Sequence, residues 1–140
     1  MISMHSTIEL PTHRIADGRR EMELNGLANA LERLPEGEEM PETTDTGETV
    51  PVYMQQAVLG DIAIVGIAAE IYSLIGKAMK EASPFRHTMV VTHVGPSAGY
   101  ILDKTSISHR CFQYYSRVKP GSGDESIVEN ELELFDKMRE

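Results

Sequence analysis

From Ile62 to Ala69 the chain reads Ile-Ala-Ile-Val-Gly-Ile-Ala-Ala, eight residues without one polar side chain. A short β-branched run of this kind has no solvent face to offer, and predicts a strand buried on both sides, as inside an α/β sheet. The residues after it narrow the fold further. Ile71, Leu74, Ile75, Ala78, Met79 and Ala82 recur at three and four, which predicts a helix over 69–82 with one apolar face, stopped by Ser83-Pro84. Thr88 to Val94 is the next strand. Strand, helix and strand within about 35 residues make a βαβ unit, with parallel strands joined by a right-handed crossover. Upstream, Val52–Val58 reads as another strand, turned back at Leu59-Gly60-Asp61. The expected fold class is α/β, a βαβ-containing layered fold with a small mixed sheet and flanking helices. Three strands with exposed apolar edges would suit a homo-oligomer or a partner chain.

The flanks read differently. Asp17 to Leu34 carries Leu24, Leu27, Ala28, Leu31 and Leu34 at helical spacing, with Pro35 as a stop. Pro35 to Thr49 holds two prolines, two glycines and six acids, so it is expected to be a loop. The chain thus divides into residues 1–49, an amphipathic helix and acidic loop kept out of the sheet, and residues 50–140, the α/β segment. Residues 95–123 are irregular. Ser122 and Glu125 are spaced for a capping box, ahead of a last helix with Ile127, Val128, Leu132, Leu134, Phe135 and Met138 inward.

Charge and cysteine usage exclude several functions. Thirteen bases against 22 acids give −9, which opposes binding to duplex nucleic acid, where clustered cations must displace counterions. The middle of the chain is nevertheless mildly basic, with 7 bases to 4 acids over residues 50–123. One cysteine, Cys111, rules out an internal disulfide framework and a thiolate zinc cluster within one chain. Any metal would need His, carboxylate or phenol ligands. The longest apolar run falls far short of the roughly 20 residues of a transmembrane helix, and the N-terminus lacks a secretory pattern. A cytoplasmic location is the default.

In open α/β sheets, sites gather beyond the carboxyl ends of the strands. Two segments arrive there, Gly66-Ile-Ala-Ala-Glu70 and Gly95-Pro-Ser-Ala-Gly-Tyr100. Glu70 has a plain alternative reading as an acid opening the helix, where the helix dipole favours it by roughly 0.3–1 kcal/mol. His87, His93 and His109 form no i, i+4 zinc pair, and His93 is the best placed of them. Ser97 has no nucleophile elbow around it. Cys111 lacks neighbours that would activate a thiol, and Phe112, Tyr114 and Tyr115 read as packing.

The segments Leu59-Gly-Asp-Ile-Ala-Ile-Val-Gly66, Glu70, Ile75-Gly76, Ser83-Pro-Phe-Arg-His-Thr-Met-Val-Val91, Gly99-Tyr100 and Ser116-Arg-Val-Lys-Pro-Gly-Ser-Gly-Asp-Glu125 occur in this order. So arranged, the chain resembles the C-terminal part of the catalytic domain of neutral/alkaline ceramidases, and most of all their bacterial relatives. The resemblance implies a zinc-dependent hydrolase that cleaves an N-acyl amide in a lipid-like substrate. It implies Glu70 and Tyr100 as two metal ligands, two histidines from a more N-terminal segment as the others, and Phe112 as a substrate contact. Departures accompany the likeness. Ala68-Ala69 replaces Pro-Gly, Gly95 and Ser97 replace Asn and Tyr, and Phe112 replaces an active-site tyrosine. No segment here corresponds to the one bearing the metal histidines. The chain is therefore expected to be a partial or truncated amidohydrolase, inactive alone, or else a non-catalytic remnant that assembles with another chain.

Overall fold

Leu59 pairs directly with Ile62, so Gly60 and Asp61 alone make the hairpin turn, and Gly60 lies at φ +62°. A two-residue loop between right-twisted strands requires this left-handed start, which glycine adopts without cost. The computed structural model describes residues 1–16, 42–109 and 111–140. Within them, β1 (Ile2–Ile15), β2 (Thr43–Leu59), β3 (Ile62–Ile67) and β5 (His87–Val91) form one sheet in the order β1-β2-β3-β5. The β1–β2 and β2–β3 pairs are antiparallel, and β3 runs parallel to β5, to which it is joined by a crossover through helix α1 (Ser73–Ala82). A separate parallel pair joins β4 (Glu70–Ile71) to β6 (Tyr100–Ile101). Two 3₁₀ segments, Lys104–His109 and Phe112–Tyr115, lead to the last helix, α2 (Asp124–Arg139).

Residues 2–15 and 43–49 do enter the sheet, contrary to expectation. β1 pairs with β2 from Ile2 opposite Val58 to Ile15 opposite Thr43, with an irregularity between Pro11 and His13. The supposed loop is strand from Thr43 onward, and the compositional boundary at residue 49 falls inside β2. The reason is cooperative. A polar segment such as Thr43-Thr-Asp-Thr-Gly-Glu-Thr49 has little apolar surface of its own, but its backbone groups are satisfied by a facing strand. The helix expected over residues 17–34 lies outside the described residues.

One face of the sheet carries the core. Leu10 of β1, Val52 and Met54 of β2 and Val65 and Ile67 of β3 cluster with Ile75 and Met79 of α1 and with Ile127 and Phe135 of α2. The opposite face is open, with Tyr53, Leu59, Ile62, Ile64, Met89 and Val91 all exposed. β3 accordingly alternates from Ile62 to Val65, and burial is continuous from Val65 through the end of the strand at Ile67 and on to Ala69. Gly66 lies under Val94, whose Cγ2 would stand 3.1 Å from a Cβ placed there.

Both helices begin differently from the expectation. α1 starts at Ser73, not 69, because Glu70 and Ile71 are claimed by β6. α2 has Gly123 as its N-cap and no capping box. Ser122 Oγ instead donates to the Lys119 carbonyl at 2.6 Å, while Glu125 accepts from Lys104 Nζ at 2.8 Å. Ile127, Leu134 and Phe135 of α2 are buried as expected, but so is Glu131. Among the described residues, no helix is long and apolar enough to cross a membrane.

Candidate functional site

Beyond the end of β3, the chain from Ile67 to Tyr72 offers its backbone in turn to the segments that arrive after β5. The Val94 and His93 N–H groups donate to Ile67 O and Ala69 O at 3.3 Å each, and Ala98 N donates to Ala68 O at 2.8 Å. Glu70 N then donates to Gly99 O at 2.9 Å, and Tyr72 N to Ile101 O at 3.0 Å. The pairing sets Glu70 opposite Tyr100. Glu70 is thus a strand residue: no acid occupies the first turn of α1, so the helix-dipole reading of this carboxylate does not hold. The Ala68-Ala69 departure has a structural reason too. Ala68 N–H donates to Tyr53 O at 2.9 Å, a bond that proline could not make.

Three side chains meet here. Glu70 Oε1 lies 2.9 Å from His93 Nε2, and Tyr100 hydrogen-bonds Glu70 through its side chain. Burial first, and the Glu70 charge and bond next, hold the Tyr100 hydroxyl above the ordinary tyrosine value. His93 sits at φ +59°, the one non-glycine residue among those described with positive φ. Phe112 stands edge-on to Tyr100, with ring centroids 5.9 Å apart, and forms an aromatic wall without a hydroxyl. Behind it, Tyr72 shares a hydrogen bond with Cys111. Its hydroxyl is pushed up to about 12, first by burial and then by Cys111, Tyr100 and Asp103. A cleft of about 410 Å³ lies between α1 and the end of β5, lined by Ile71, Tyr72, Gly76, Lys77, Val90 and Thr92 among others, and Glu70, His93 and Tyr100 are not part of its lining.

The support of Tyr100 reaches back to β1. Tyr100 N–H donates to Ser116 Oγ at 3.1 Å, while the Ser116 carbonyl is 2.8 Å from His13 Nε2. Burial, the largest influence on His13, outweighs the carbonyls around it and lowers its pKa. Gly99 holds this corner at φ +89°, where a Cβ would stand 2.9 Å from Ser116 Oγ. Gly99→Ala is expected to cost about 1–2 kcal/mol from the left-handed backbone alone. Denaturant unfolding would measure it, and an unchanged midpoint would refute the proposed strain.

The structure sets Glu70 opposite Tyr100 and Phe112 against Tyr100, and adds His93 and Tyr72 to the cluster. His93 was legible as the best-placed histidine, but its contact with Glu70 depends on a left-handed turn that no pattern announces. His87 and His109 are not part of the cluster as described. Among the described residues, no group of three or more His, Cys, Asp and Glu side chains could hold a metal ion. This cluster has two such side chains, Glu70 and His93, beside the phenol of Tyr100.

No family model matches the chain, and no curated protein matches it. Among solved structures it is similar to a neutral ceramidase from Pseudomonas aeruginosa, with a TM-score of 0.58 and 14% identity. The match covers 99% of this chain and 29% of that one. The fold is therefore ceramidase-like, and the chain spans less than a third of the enzyme it resembles.

Proposed function

We propose that this chain is part of a zinc-dependent amidohydrolase acting on an N-acyl amide, with Glu70 and Tyr100 as oxygen ligands of the metal. The observation that carries this reading is the β4–β6 pairing, which sets a carboxylate and a phenol side by side at the carboxyl end of a buried strand. Carboxylate, phenol and imidazole together are a donor set suited to a borderline ion such as zinc. Zinc bound there would supply Lewis-acid polarisation of the amide carbonyl and a nucleophile at neutral pH. The chain's own residues position and enclose. The Glu70 and Tyr100 backbones are fixed by paired strands, Phe112 packs edge-on against Tyr100, and Ile71 and Val90 would offer apolar walls to an acyl chain. Phe112 has no hydroxyl to donate to a developing oxyanion, so that role falls to another group.

A second reading is favoured by the open sheet face of Tyr53, Leu59, Ile62, Ile64, Met89 and Val91. Contiguous apolar surface of this kind marks an interaction site. Here the chain is a non-catalytic assembly module that pairs with another polypeptide chain through this face. One experiment separates the two readings. The metal-stripped chain is titrated with zinc and offered a short-chain ceramide. Stoichiometric zinc, lost in Glu70→Gln, with release of fatty acid supports the hydrolase. No zinc uptake sinks it and leaves the assembly module.

A further inference from the structure

We infer that the open sheet face is the interface between two copies of this chain, packed sheet on sheet about a two-fold axis. The inference deepens the assembly reading by naming its partner, and rests on it. Three observations carry it. First, the face is apolar where solvent selects polar side chains. Ile64 stands between Ala57 and Met89 across the sheet, and Gly66 between Gln55 and Val91. An antiparallel strand facing water alternates to polar residues on that side, and these strands do not. Tyr53, Leu59, Ile62, Ile64, Met89 and Val91 are each 38–63% exposed and present roughly 600 Å² together. With the intervening Gln55 and Ala57, this approaches the ~800 Å² per partner of a standard stable interface. Second, the face is free of formal charge. From Ser3, His5 and Thr7 of β1 across to β5, no Asp, Glu, Lys or Arg among the described residues occupies these rows. In a chain of −9, repulsion between copies is least where two such faces meet, and a partner of other sequence finds no charge here to select it. Third, the face carries both a hollow and a knob. The hollow, about 170 Å³, is lined by Ala57, Ile64, Gly66, Val91 and Val94 among others, and Met89, the register partner of Ile64, projects beside it. A two-fold axis between them seats Met89 of each copy in the hollow of the other, the reciprocal contact of an isologous dimer, and methionine fills irregular gaps well.

Sedimentation equilibrium of the full chain at neutral pH tests this, beside the variants Ile64→Glu, Met89→Glu and Leu74→Glu. Ile64 and Met89 are exposed in the single chain, so a carboxylate there is tolerated by the fold but meets its own image across the axis. Leu74 is exposed on α1, the helix whose Ile75 and Met79 pack on the other side of the sheet, and serves as the control. The parent is expected to sediment at twice the chain mass. Self-association is expected to weaken at least about hundred-fold in Ile64→Glu and Met89→Glu, and to persist in Leu74→Glu. Circular dichroism checks that each variant is folded, and Met89→Glu, at the more exposed position, decides the matter should Ile64→Glu not fold. A dimer that survives both glutamates overturns this face as the interface. Binding of an apolar fluorescent dye separates the remaining outcomes. A monomeric parent that binds the dye, with binding lost in the two glutamate variants, overturns the second copy and leaves a different chain as the partner. A monomeric parent that binds no dye overturns the assembly reading as well.

Discussion

Replacing Glu131 by Leu is expected to make the protein more stable at pH 8 and to flatten its stability between pH 5 and 8, where the parent declines. Glu131 lies at the centre of α2, fully buried, and neither of its carboxylate oxygens has a hydrogen-bond partner among the described residues. The neighbouring Gln56 donates its amide to the Glu131 backbone carbonyl at 3.0 Å and not to its carboxyl, leaving the Gln56 side-chain oxygen unpaired as well. Burial pushes the Glu131 carboxyl from its ordinary 4.5 up to about 8. Between these values the unfolded chain has released the proton and the folded chain retains it. Stability is therefore fullest below about 4.5, falls as pH rises, by at most about 1.4 kcal/mol per pH unit, and levels off above about 8. Leucine removes both the titration and the buried unpaired oxygens. His13 acts in the opposite sense, costing stability as pH falls below 6.5, because burial lowers its pKa. The parent and the variant share that contribution, so the difference between their unfolding free energies isolates Glu131. Parallel profiles from pH 5 to 9 would show that the carboxyl is hydrated or paired in the folded chain.

Phe135→Ala is expected to cost about 3–5 kcal/mol, as removal of a fully buried aromatic ring does. Phe135 is wholly inaccessible and packs on Phe85 with ring centroids 4.9 Å apart, joining α2 to the segment that enters β5. A domain of this size has about 5–15 kcal/mol to lose, so the variant stands near the folding threshold at 25 °C. Chemical denaturation supplies the value. A loss below about 1 kcal/mol would mean that the cavity collapses and that Phe135 is not central to the core. Phe135→Leu, which keeps most of the volume, is expected to retain more than half of the stability lost in the alanine variant.

Glu131 shows how much a sequence pattern can say and where it stops. Ile127, Glu131, Leu134 and Phe135 follow i, i+4, i+7 and i+8, so periodicity alone places position 131 on the inner stripe. An acid at such a position invites the reading that the stripe is interrupted, when in fact the carboxyl is buried with it. The capping box failed for a different reason. Ser122 and Glu125 have the right spacing, but Gly123 is wedged against Ile101, Ile127 and Leu10, and Lys104 supplies Glu125 with a stronger partner. Glu70 was misread locally and well placed globally. Its residue type suits a helix start, while the pairing with Tyr100, 30 positions away, makes it strand.

By itself, the sequence determined the β3–α1–β5 unit, the existence of a turn around Gly60 before it, the apolar stripe of the last helix and the arrival of Glu70 and Tyr100 at one end of the sheet. Those features rest on local periodicity, turn chemistry and the geometry of a parallel crossover, all of which are written within about 40 residues. Only the tertiary structure decided that residues 2–15 and 43–49 are strands, that one sheet face stays open, and that His93 turns left-handed to meet Glu70. Each of these depends on hydrogen bonds or burial supplied by a distant segment, and a polar or ambiguous stretch takes its conformation from the partner that satisfies its backbone.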